Sequence, residues 1–597
     1  MTSPQSILPI SSYSAQAAKN SILPLLRKTI YLWRLLSLTG WPVAARVFAY
    51  PEESKSMASF FPHLTSTEVA PTSREILYVY RNAFNEQLSS GTIHPTVLPY
   101  QIYTTILLVA YFSLPHKKYP LIYASRWPIL TFINWFQWRM LWRTSSSSYC
   151  VGYAVGLSIS WMIVWSWALL VFMRPQWEAK RVQRIRVQVN GTQLAALKNS
   201  DVPEIQKDGI NLRQRKKDNR SVQAHDEVAM KTNSSQFIYK YFWQSYPDTP
   251  IERLSWATDL VFNYRGPGWN WAISPLPSLP PEIIMQLGEP VPVETYLNIS
   301  SVGLRRFNTR RELCRSRLPR LIFGYFLLDF LKVIMMSDPY YKFGPTTYAL
   351  PVHLKVLSPF MIHMYRQSLS SGTIIAGLAV ANYIPPLIIS VICGPKVFGL
   401  RAEAWYYPSM WGPFSNLCYK GLGGLWGNYW HQIFRQGFTA PTNYLIQKGY
   451  MKARSPTAML VGLGFAFGIS GFVHWAGSVT LYAKTYPSHL ILFFALQGVG
   501  ILIQSTFCTI LKPSLKTFPK YIRYTGNLLY SLFWLYSTGW ILADDFARGG
   551  LWLWEPVPFS PLRGLGFGEP DAGWWCWEHS GVGWYSGKHW WESGIAL

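Results

Sequence analysis

Two histidines, His431 and His474, are the side chains in this sequence best suited to chemistry. His474 stands in GLGFAFGISGFVHWAGSVTLY (462–482), an apolar stretch with no lysine, arginine, aspartate or glutamate. A polar group at membrane depth costs free energy unless it is partnered, so an ionisable residue there is a functional candidate. A buried neutral imidazole is also a good general base near pH 7, because burial disfavours its charged form. A structural hydrogen bond between closely packed helices explains the same position equally well.

His431 lies in LWGNYWHQIFRQGF (425–438), among aromatic residues and close to apolar segments. Taken alone, this setting is more typical of an aromatic residue belt at the membrane surface than of a catalytic site. Arg435 follows four residues later, so a helix through this stretch would place both side chains on one face. Such a face suits an anionic substrate, and it equally suits a lipid headgroup.

Other patterns with chemical meaning are weak. No histidine has an aspartate four or five residues downstream, which excludes the HxxxD and HxxxxD signatures of soluble acyltransferases. No two histidines have the spacing of a metal site on one helix, so no metal is expected. The glycine-rich stretches 421–424 and 462–468 do not follow a strand, which argues against a nucleotide-binding loop. Asp329 and Lys332 are predicted to form a local ion pair, with a proton relay as the alternative.

The composition indicates that lipid surrounds the elements that carry these residues. The 597 residues are 49% hydrophobic and 16% aromatic, and only 14% are charged, whereas soluble domains carry about 25% charged residues. The net charge of +26 comes from basic residues that flank apolar stretches, which is the pattern of membrane-protein loops. Because a nucleic-acid site requires a basic soluble module, no nucleic-acid partner is expected.

Seven stretches are predicted as clear membrane spans, since about 20 apolar residues cross the hydrocarbon core. They are 98–114, 149–173, 321–337, 372–394, 458–482, 488–511 and 524–543. Two more stretches, 127–142 and 346–365, are predicted to be interfacial, re-entrant or membrane-spanning. The sequence therefore predicts an all-α polytopic membrane protein, a bundle of about seven to nine transmembrane helices.

The chain divides into five predicted regions. Residues 198–233 within the third region have a disorder-like composition, and the arginine-rich 305–320 favours the cytosolic side for that region. The regions are a partly disordered N-terminal region (1–97), the first transmembrane segments (98–173), a long basic polar loop on the cytosolic side (174–320), a membrane core (321–545) and a Trp/Gly-rich C-terminal tail (546–597).

Several motifs, in the expected order, resemble the fungal wax-synthase-like branch of the membrane-bound O-acyltransferase family. LWGNYWHQIFRQ (425–436) is similar to that branch's F-W-G-x-x-W-H-Q-x-x-R motif, with Leu425 in place of phenylalanine. SGFVHWAG (470–477) is similar to the S-G-x-x-H element that carries the family's characteristic histidine. The resemblance covers roughly residues 255–597. Further matching segments are YRGPGWNWAI (264–273), in which Pro267 departs from the common isoleucine, YPSMWGPFSN (407–416) and SPLRGLGFG (560–568).

The resemblance implies an internal catalytic chamber in which His474 is the general base and His431 is the second polar residue. It also implies that Trp430, Arg435 and Asn428 lie at the substrate-binding pocket. The wider family often has asparagine at the position of His431, so this side chain either moves a proton or holds geometry.

The resemblance further implies a multi-pass membrane protein of the endoplasmic reticulum. It would move an acyl group, most simply acetyl from acetyl-CoA, onto a hydroxyl of a lipophilic terpenoid-like or meroterpenoid-like secondary metabolite. Its partners would be acyl-CoA as co-substrate, the lipophilic alcohol and the lipid bilayer, with no bound cofactor. The alternatives are a long-chain wax or sterol ester synthase and, in another class, a non-catalytic membrane transporter or scaffold.

Overall fold

The computed structural model describes residue 61 and residues 70–189, 236–346, 348–577 and 582–597. Most of the N-terminal region predicted to be partly disordered lies outside the described residues. The disorder-like stretch 198–233 lies wholly outside them. The regions 98–173 and 321–545, which contain all the predicted spans, are described apart from residue 347.

Twelve helices of ten or more residues form most of the described chain. They are α1 Ser73–Ser89, α2 Tyr103–Ser113, α3 Arg126–Leu141, α4 Tyr149–Trp167, α5 Pro250–Phe262, α6 Arg310–Met336, α7 Pro359–Pro386, α8 Ser415–Gly424, α9 Arg435–Gln447, α10 Pro456–Val479, α11 Pro487–Ile510 and α12 Lys520–Arg548.

Shorter helical segments connect these helices or extend them. The short α-helices are Pro120–Ala124, Pro175–Glu178, Pro281–Gln286, Tyr340–Phe343, Val352–Lys355, Pro395–Phe398, Lys512–Thr517 and Pro561–Gly564. The 3-10 segments are Tyr100–Ile102, Val293–Leu297, Gly399–Ala402, Ala404–Tyr406, Leu551–Leu553 and Trp590–Glu592. The π-helical segments are Ala168–Phe172, Leu387–Cys393 and Leu425–Tyr429.

Four helices in the described chain are long and apolar enough to cross a membrane. They are Tyr149–Phe172, Pro359–Cys393, Pro456–Val479 and Pro487–Ile510, where the first two include their π-helical extensions. They coincide with four of the seven predicted spans. The other three predicted spans fall in α2, α6 and α12, so the count of seven to nine stays a prediction.

The described chain is mostly helical, but the all-α prediction is wrong for a hairpin of two nine-residue strands. These strands, β4 and β5, pair antiparallel from Arg181 opposite Gln244 to Val189 opposite Gln236. β5 reads QFIYKYFWQ, and its aromatic and β-branched residues favour a pleated, half-buried surface. The strands are β1 His94–Pro95, β2 Val97–Leu98, β3 Thr144–Ser145, β4 Arg181–Val189, β5 Gln236–Gln244, β6 Gly583–Tyr585 and β7 Gly594–Ala596.

The remaining strands are short and join distant parts of the chain. β1 pairs in parallel with β3, while β7 lies between β2 and β6 and runs antiparallel to both. The segment before α2 is therefore hydrogen-bonded to the C-terminal tail. This pairing has no signal in the sequence, because two- and three-residue strands are too short to show a period.

Small residues bring α10 close to two other helices. A Cβ atom at Gly156 of α4 would collide with the carbonyl oxygen of Ala476 on α10. A Cβ atom at Gly471 of α10 would lie 3.1 Å from the Cα atom of Ile491 on α11. Close backbone approach of this kind is typical of helices that pack within a membrane. α10 is therefore held between α4 and α11.

The predicted local pair of Asp329 and Lys332 on α6 is wrong, because both charges bind the C-terminal tail. Ser560 donates to Asp329, and the Arg563 guanidinium lies 3.8 Å from the same carboxylate. The Lys332 ammonium lies 3.7 Å from the carboxylate of Glu555, which is also 2.7 Å from Arg563. Asp329 and Lys332 are 0% and 4% exposed, and buried charges need such partners.

Candidate active site

His474 lies in the second half of α10, and its imidazole contacts both neighbouring helices. The ring stacks on Phe494 of α11, with a centroid distance of 4.6 Å and an interplanar angle of 19°. On the other side, the Nδ1 atom lies 2.8 Å from the hydroxyl oxygen of Tyr153 on α4. The side chain is partly exposed, and in the described chain no hydrogen bond reaches its Nε2 atom. Nε2 is thus free to meet a substrate.

Tyr153 is a site residue that the sequence reasoning missed. Its ring is 7% exposed and packs edge-on against Phe546 of α12 at 5.1 Å. It also fills the space beside Gly477 of α10, where a Cβ atom would lie 2.8 Å from the ring. Residues 149–173 contain several hydroxyl groups, and none stands in a motif. Only the packing of α4 on α10 singles out Tyr153.

His431 lies between two helices rather than inside one. α8 is followed by the π-helical segment Leu425–Tyr429, residues 430–434 are irregular, and α9 begins at Arg435. The prediction that one helical face carries His431 and Arg435 is therefore wrong. The chain already departs from regular helix at Gly421, whose φ is +59° and whose Cβ position is filled by the side chain of Gln504.

Aromatic rings surround His431. Its centroid lies 5.9 Å from Trp411, 5.3 Å from Trp430 and 6.0 Å from Phe434. The side chain is partly exposed, and its Nδ1 atom has no hydrogen-bond partner in the described chain. Burial, followed by the positive charge of Arg265, lowers the pKa of His431 to about 4. His431 is therefore neutral at physiological pH.

Arg265 joins two of the predicted motifs. It lies in the YRGPGWNWAI segment, and its guanidinium donates to the carbonyl oxygens of Pro408 and Ser409, each at 3.1 Å. Those two residues begin the stretch that leads to Trp411. The motif at 264–273 thus supports the aromatic wall of the site.

Arg435 and Asn428, both predicted to bind substrate, are engaged within the chain. The Arg435 guanidinium donates to the carbonyl oxygen of Gly427 at 2.9 Å and to the side-chain oxygen of Gln432 at 2.6 Å. When the amide nitrogen of Asn428 faces the Gly427 carbonyl oxygen, its amide oxygen accepts from the Lys420 ammonium at 3.0 Å. These contacts brace the loop that carries His431, and both side chains are still partly exposed.

The two histidines lie on the same cluster of aromatic rings. Aromatic contacts connect them: Trp430 lies 5.4 Å from Trp426, which lies 6.1 Å from Phe494, the ring that stacks on His474. Trp430 therefore packs directly against His431 and reaches His474 only through two further rings.

The comparisons with known proteins agree with the motifs. Residues 407–496, which contain both histidines, match the Membrane bound O-acyl transferase family. The predicted resemblance is confirmed. The matched region runs from the Trp411 segment to the middle of α11. It therefore includes most of the aromatic residues described above. No solved structure matches this chain.

Several curated proteins are similar to longer parts of the chain. Acetyltransferase ple2 of Rhodocybe pseudopiperita is 24% identical over 304 residues, which are 50% of this chain and 68% of that protein. O-Mevalon transferase macI of Penicillium terrestre is 26% identical over 281 residues, or 44% and 54% of the two chains. Acetyltransferase spyB of Aspergillus fumigatus is 34% identical over 102 residues, or 16% and 17%.

Proposed function

We propose that this protein transfers an acyl group, with acetyl favoured, from acyl-CoA to a hydroxyl of a lipophilic secondary metabolite of the terpenoid or meroterpenoid type. One observation carries the proposal: the histidines of two separate family motifs lie on one cluster of aromatic rings. A transporter or scaffold would not require both imidazoles to converge there. The names of the similar proteins, two acetyltransferases and an O-mevalon transferase, support acyl transfer.

In the proposed reaction His474 is the general base. Its Nε2 atom takes the proton of the substrate hydroxyl while the oxygen attacks the thioester carbonyl. The new C–O bond forms, the C–S bond breaks, and the proton passes from Nε2 to the departing thiolate. His431, being neutral, donates a hydrogen bond to the oxyanion that develops on the carbonyl oxygen. The step requires acyl-CoA as co-substrate, no bound cofactor, no metal and no covalent acyl–enzyme.

The site is suited to an apolar acceptor. The aromatic walls offer large ring faces to a lipophilic alcohol, and enclosure within the membrane excludes water, which competes as an acceptor. This assignment includes the predicted bundle of seven to nine spans around an internal chamber, in the endoplasmic reticulum membrane. The basic region 174–320 would face the cytosol, where acyl-CoA is available.

A second donor class has its own support. The similarity to an O-mevalon transferase supports a larger acyl group as the alternative to acetyl. Both classes use the same base and the same oxyanion contact, so they differ only in the space beside the thioester. A series of donors with increasing acyl size distinguishes them.

The proposed function is tested by acyl transfer in membranes. Membranes that contain the wild-type protein are incubated with labelled acetyl-CoA and a panel of lipophilic alcohols, and ester is measured. We expect His474→Ala to reduce transfer by about 10²–10⁴-fold, the usual contribution of a general base. The matched control is His363→Ala, because His363 is also partly exposed and lies in a candidate membrane helix, α7, away from the site.

The outcomes are distinct. Loss in His474→Ala with normal transfer in His363→Ala supports the proposal, provided that both variants insert and accumulate normally. Full transfer by a properly inserted His474→Ala variant would refute the role of His474. Absence of transfer by the wild type from any donor to any acceptor would support the transporter or scaffold alternative.

A further inference from the structure

The hydrogen bond between Tyr153 and His474 has two chemical forms with opposite consequences. In one form the tyrosine hydroxyl donates to a bare Nδ1, so the imidazole proton sits on Nε2. His474 then faces the substrate with an N–H group, which cannot accept a proton. In the other form Nδ1–H donates to the tyrosine oxygen, and Nε2 carries the free lone pair of a base.

A buried carboxylate beside Tyr153 favours the second form. Asp545 of α12 is 0% exposed, and it accepts from the Ser478 hydroxyl at 2.7 Å and from the Tyr486 backbone amide at 2.6 Å. Ser478 lies one helical turn beyond His474 on α10. The next residue of α12, Phe546, is the ring that packs on Tyr153.

Asp545 lies in the contact region of α4, α10 and α12 that Tyr153 fills. In the described chain no lysine or arginine comes within ion-pair distance of Asp545, although the charge of Arg548 acts on its carboxylate. Burial raises the pKa of Asp545 to about 6, so it is mainly ionised at pH 7. A base at Nε2 requires the imidazole proton to lie on Nδ1, where it donates to the tyrosine oxygen, and a negative charge in the same helix contact favours that form.

We propose that Tyr153 is a positioning residue that holds His474 as the Nδ1–H tautomer through the 2.8 Å contact between its hydroxyl oxygen and Nδ1, with the Asp545 carboxylate favouring that form. This inference rests on the proposed role of His474 as the base. Tyr153 does not touch the reacting atoms. It decides which nitrogen is free to take the substrate proton.

The same arrangement stabilises the charged intermediate state of the base. When Nε2 has taken the substrate proton, the imidazolium still donates through Nδ1 to the tyrosine oxygen. The Asp545 carboxylate, in the same contact of α4, α10 and α12, lowers the free energy of the new positive charge. Once the proton passes from Nε2 to the thiolate, the Nδ1–H form is restored without any rearrangement of Tyr153.

A purely structural role for Tyr153 makes a different prediction. The ring fills the space between α4, α10 and α12, and phenylalanine fills the same space. If packing were its whole role, Tyr153→Phe would act like the wild type. If the hydroxyl sets the tautomer, Tyr153→Phe would fold and bind substrates normally but would turn over slowly.

The kinetic test compares Tyr153→Phe with Tyr149→Phe in full-length protein in membranes. Tyr149 lies one turn away on α4 and is also buried, at 1% exposure against 7% for Tyr153, so its variant controls for loss of a hydroxyl within the same helix. We expect kcat of Tyr153→Phe to fall about tenfold or more, as for the loss of one hydrogen bond specific to the transition state, with KM within about twofold. Asp545→Asn removes the charge; its one amide oxygen can still accept from the Tyr486 backbone amide, while its NH₂ group faces the Ser478 hydroxyl oxygen. This variant should lower kcat in the same direction.

The second test reads the tautomer without any reaction. Protein labelled with ¹⁵N-histidine in lipid nanodiscs gives separate nitrogen signals for Nδ1 and Nε2, and His474 is assigned by their loss in His474→Gln. We expect the wild type to carry the proton on Nδ1 and Tyr153→Phe to show a mixture of tautomers. A proton on Nε2 in the wild type would overturn the inference.

Failure of the proposed function and failure of the positioning role of Tyr153 give different results. If wild-type membranes transfer no acyl group, the proposed function fails and the spectrum still reports the tautomer. If the wild type is active, His474→Ala is inactive and Tyr153→Phe has a normal kcat, the base is retained and only the positioning role is refuted.

Discussion

At the scale of single residues, the two histidines have different surroundings. His474 has one ring nitrogen hydrogen-bonded to the Tyr153 hydroxyl, and in the described chain no hydrogen bond reaches the other. His431 is enclosed by indole and phenyl rings, and this burial together with the nearby Arg265 guanidinium lowers its pKa to about 4, so it is neutral. A neutral imidazole carries one N–H group and can donate a hydrogen bond, which is the role that the proposed mechanism gives His431.

We predict that His431→Asn retains most of the activity that His431→Ala loses. An amide N–H can replace the imidazole donor at the oxyanion, whereas alanine leaves that charge without its hydrogen bond, and one such donor contributes about 10²–10³-fold to kcat. The measurement is kcat for both variants at pH 6 and pH 8. Because His431 is neutral at both values, the ratio of His431→Asn to wild type should not change with pH. Equal losses in both variants would show that the imidazole itself is required.

At the scale of elements, the site depends on how closely α4 approaches α10. Gly156 and Gly152 lie on adjacent turns of α4, but their surroundings differ. A Cβ atom at Gly156 would overlap a backbone carbonyl of α10, whereas at Gly152 the nearest atom would be the Thr480 carbonyl oxygen at 3.6 Å, an ordinary contact. Backbone cannot move aside as a flexible side chain does.

We predict that Gly156→Ala abolishes transfer while Gly152→Ala preserves it. In Gly156→Ala the two helices must separate, which lengthens the contact between Tyr153 and His474 and opens the site to water. The measurement is ester formation together with the yield of folded protein after detergent extraction. Normal transfer by Gly156→Ala would mean that α4 does not control the geometry of His474.

The elements also show what the sequence could predict and what it could not. Apolar length predicts the four helices that are long and apolar enough to cross a membrane, and the motifs place both histidines within the family match, because these signals are local. The hairpin β4–β5 was missed within a basic segment that was interpreted as a loop. The break before His431 depends on Gln504 of α11, which fills the space beside Gly421, and the Leu422 amide donates to it at 2.9 Å. Contacts between residues so far apart along the chain produce no periodic pattern in the sequence. The role of Tyr153 could not be predicted for the same reason.

At the scale of the whole molecule, the C-terminal tail is fastened to α6 through buried charges. Two acids and two bases, Asp329, Lys332, Glu555 and Arg563, share contacts of 2.7–3.8 Å. Further along the tail, the Glu569 carboxylate lies 2.5 Å from the ammonium of Lys342, a second buried lysine, in the short helix that follows α6. Each charge is tolerated only because its partner is present.

We predict that Lys332→Met destabilises the protein by about 3–5 kcal/mol, because it leaves Glu555 without one of its partners in a buried setting. Lys512→Met, at an exposed position, is the control and should be neutral. Thermal unfolding of the detergent-solubilised protein measures both. The double variant Lys332→Met/Glu555→Gln should recover part of the loss, since the unpaired charge is then removed. No recovery would indicate that the ammonium contributes through its hydrogen bond to the Trp552 carbonyl oxygen instead.

The separation of Tyr153 and His474 along the chain also determines how long α4 waits for α10 during synthesis. The two residues are 321 positions apart, and ribosomes add about 5–20 residues per second, so α10 emerges roughly 15–60 s after α4. Throughout that interval α4 stands in the bilayer with Gly156 and the tyrosine hydroxyl lacking their partners. During this interval the unpaired face of α4 is accessible to helix insertion factors and membrane proteases. A ribosome that pauses between the two helices lengthens the interval.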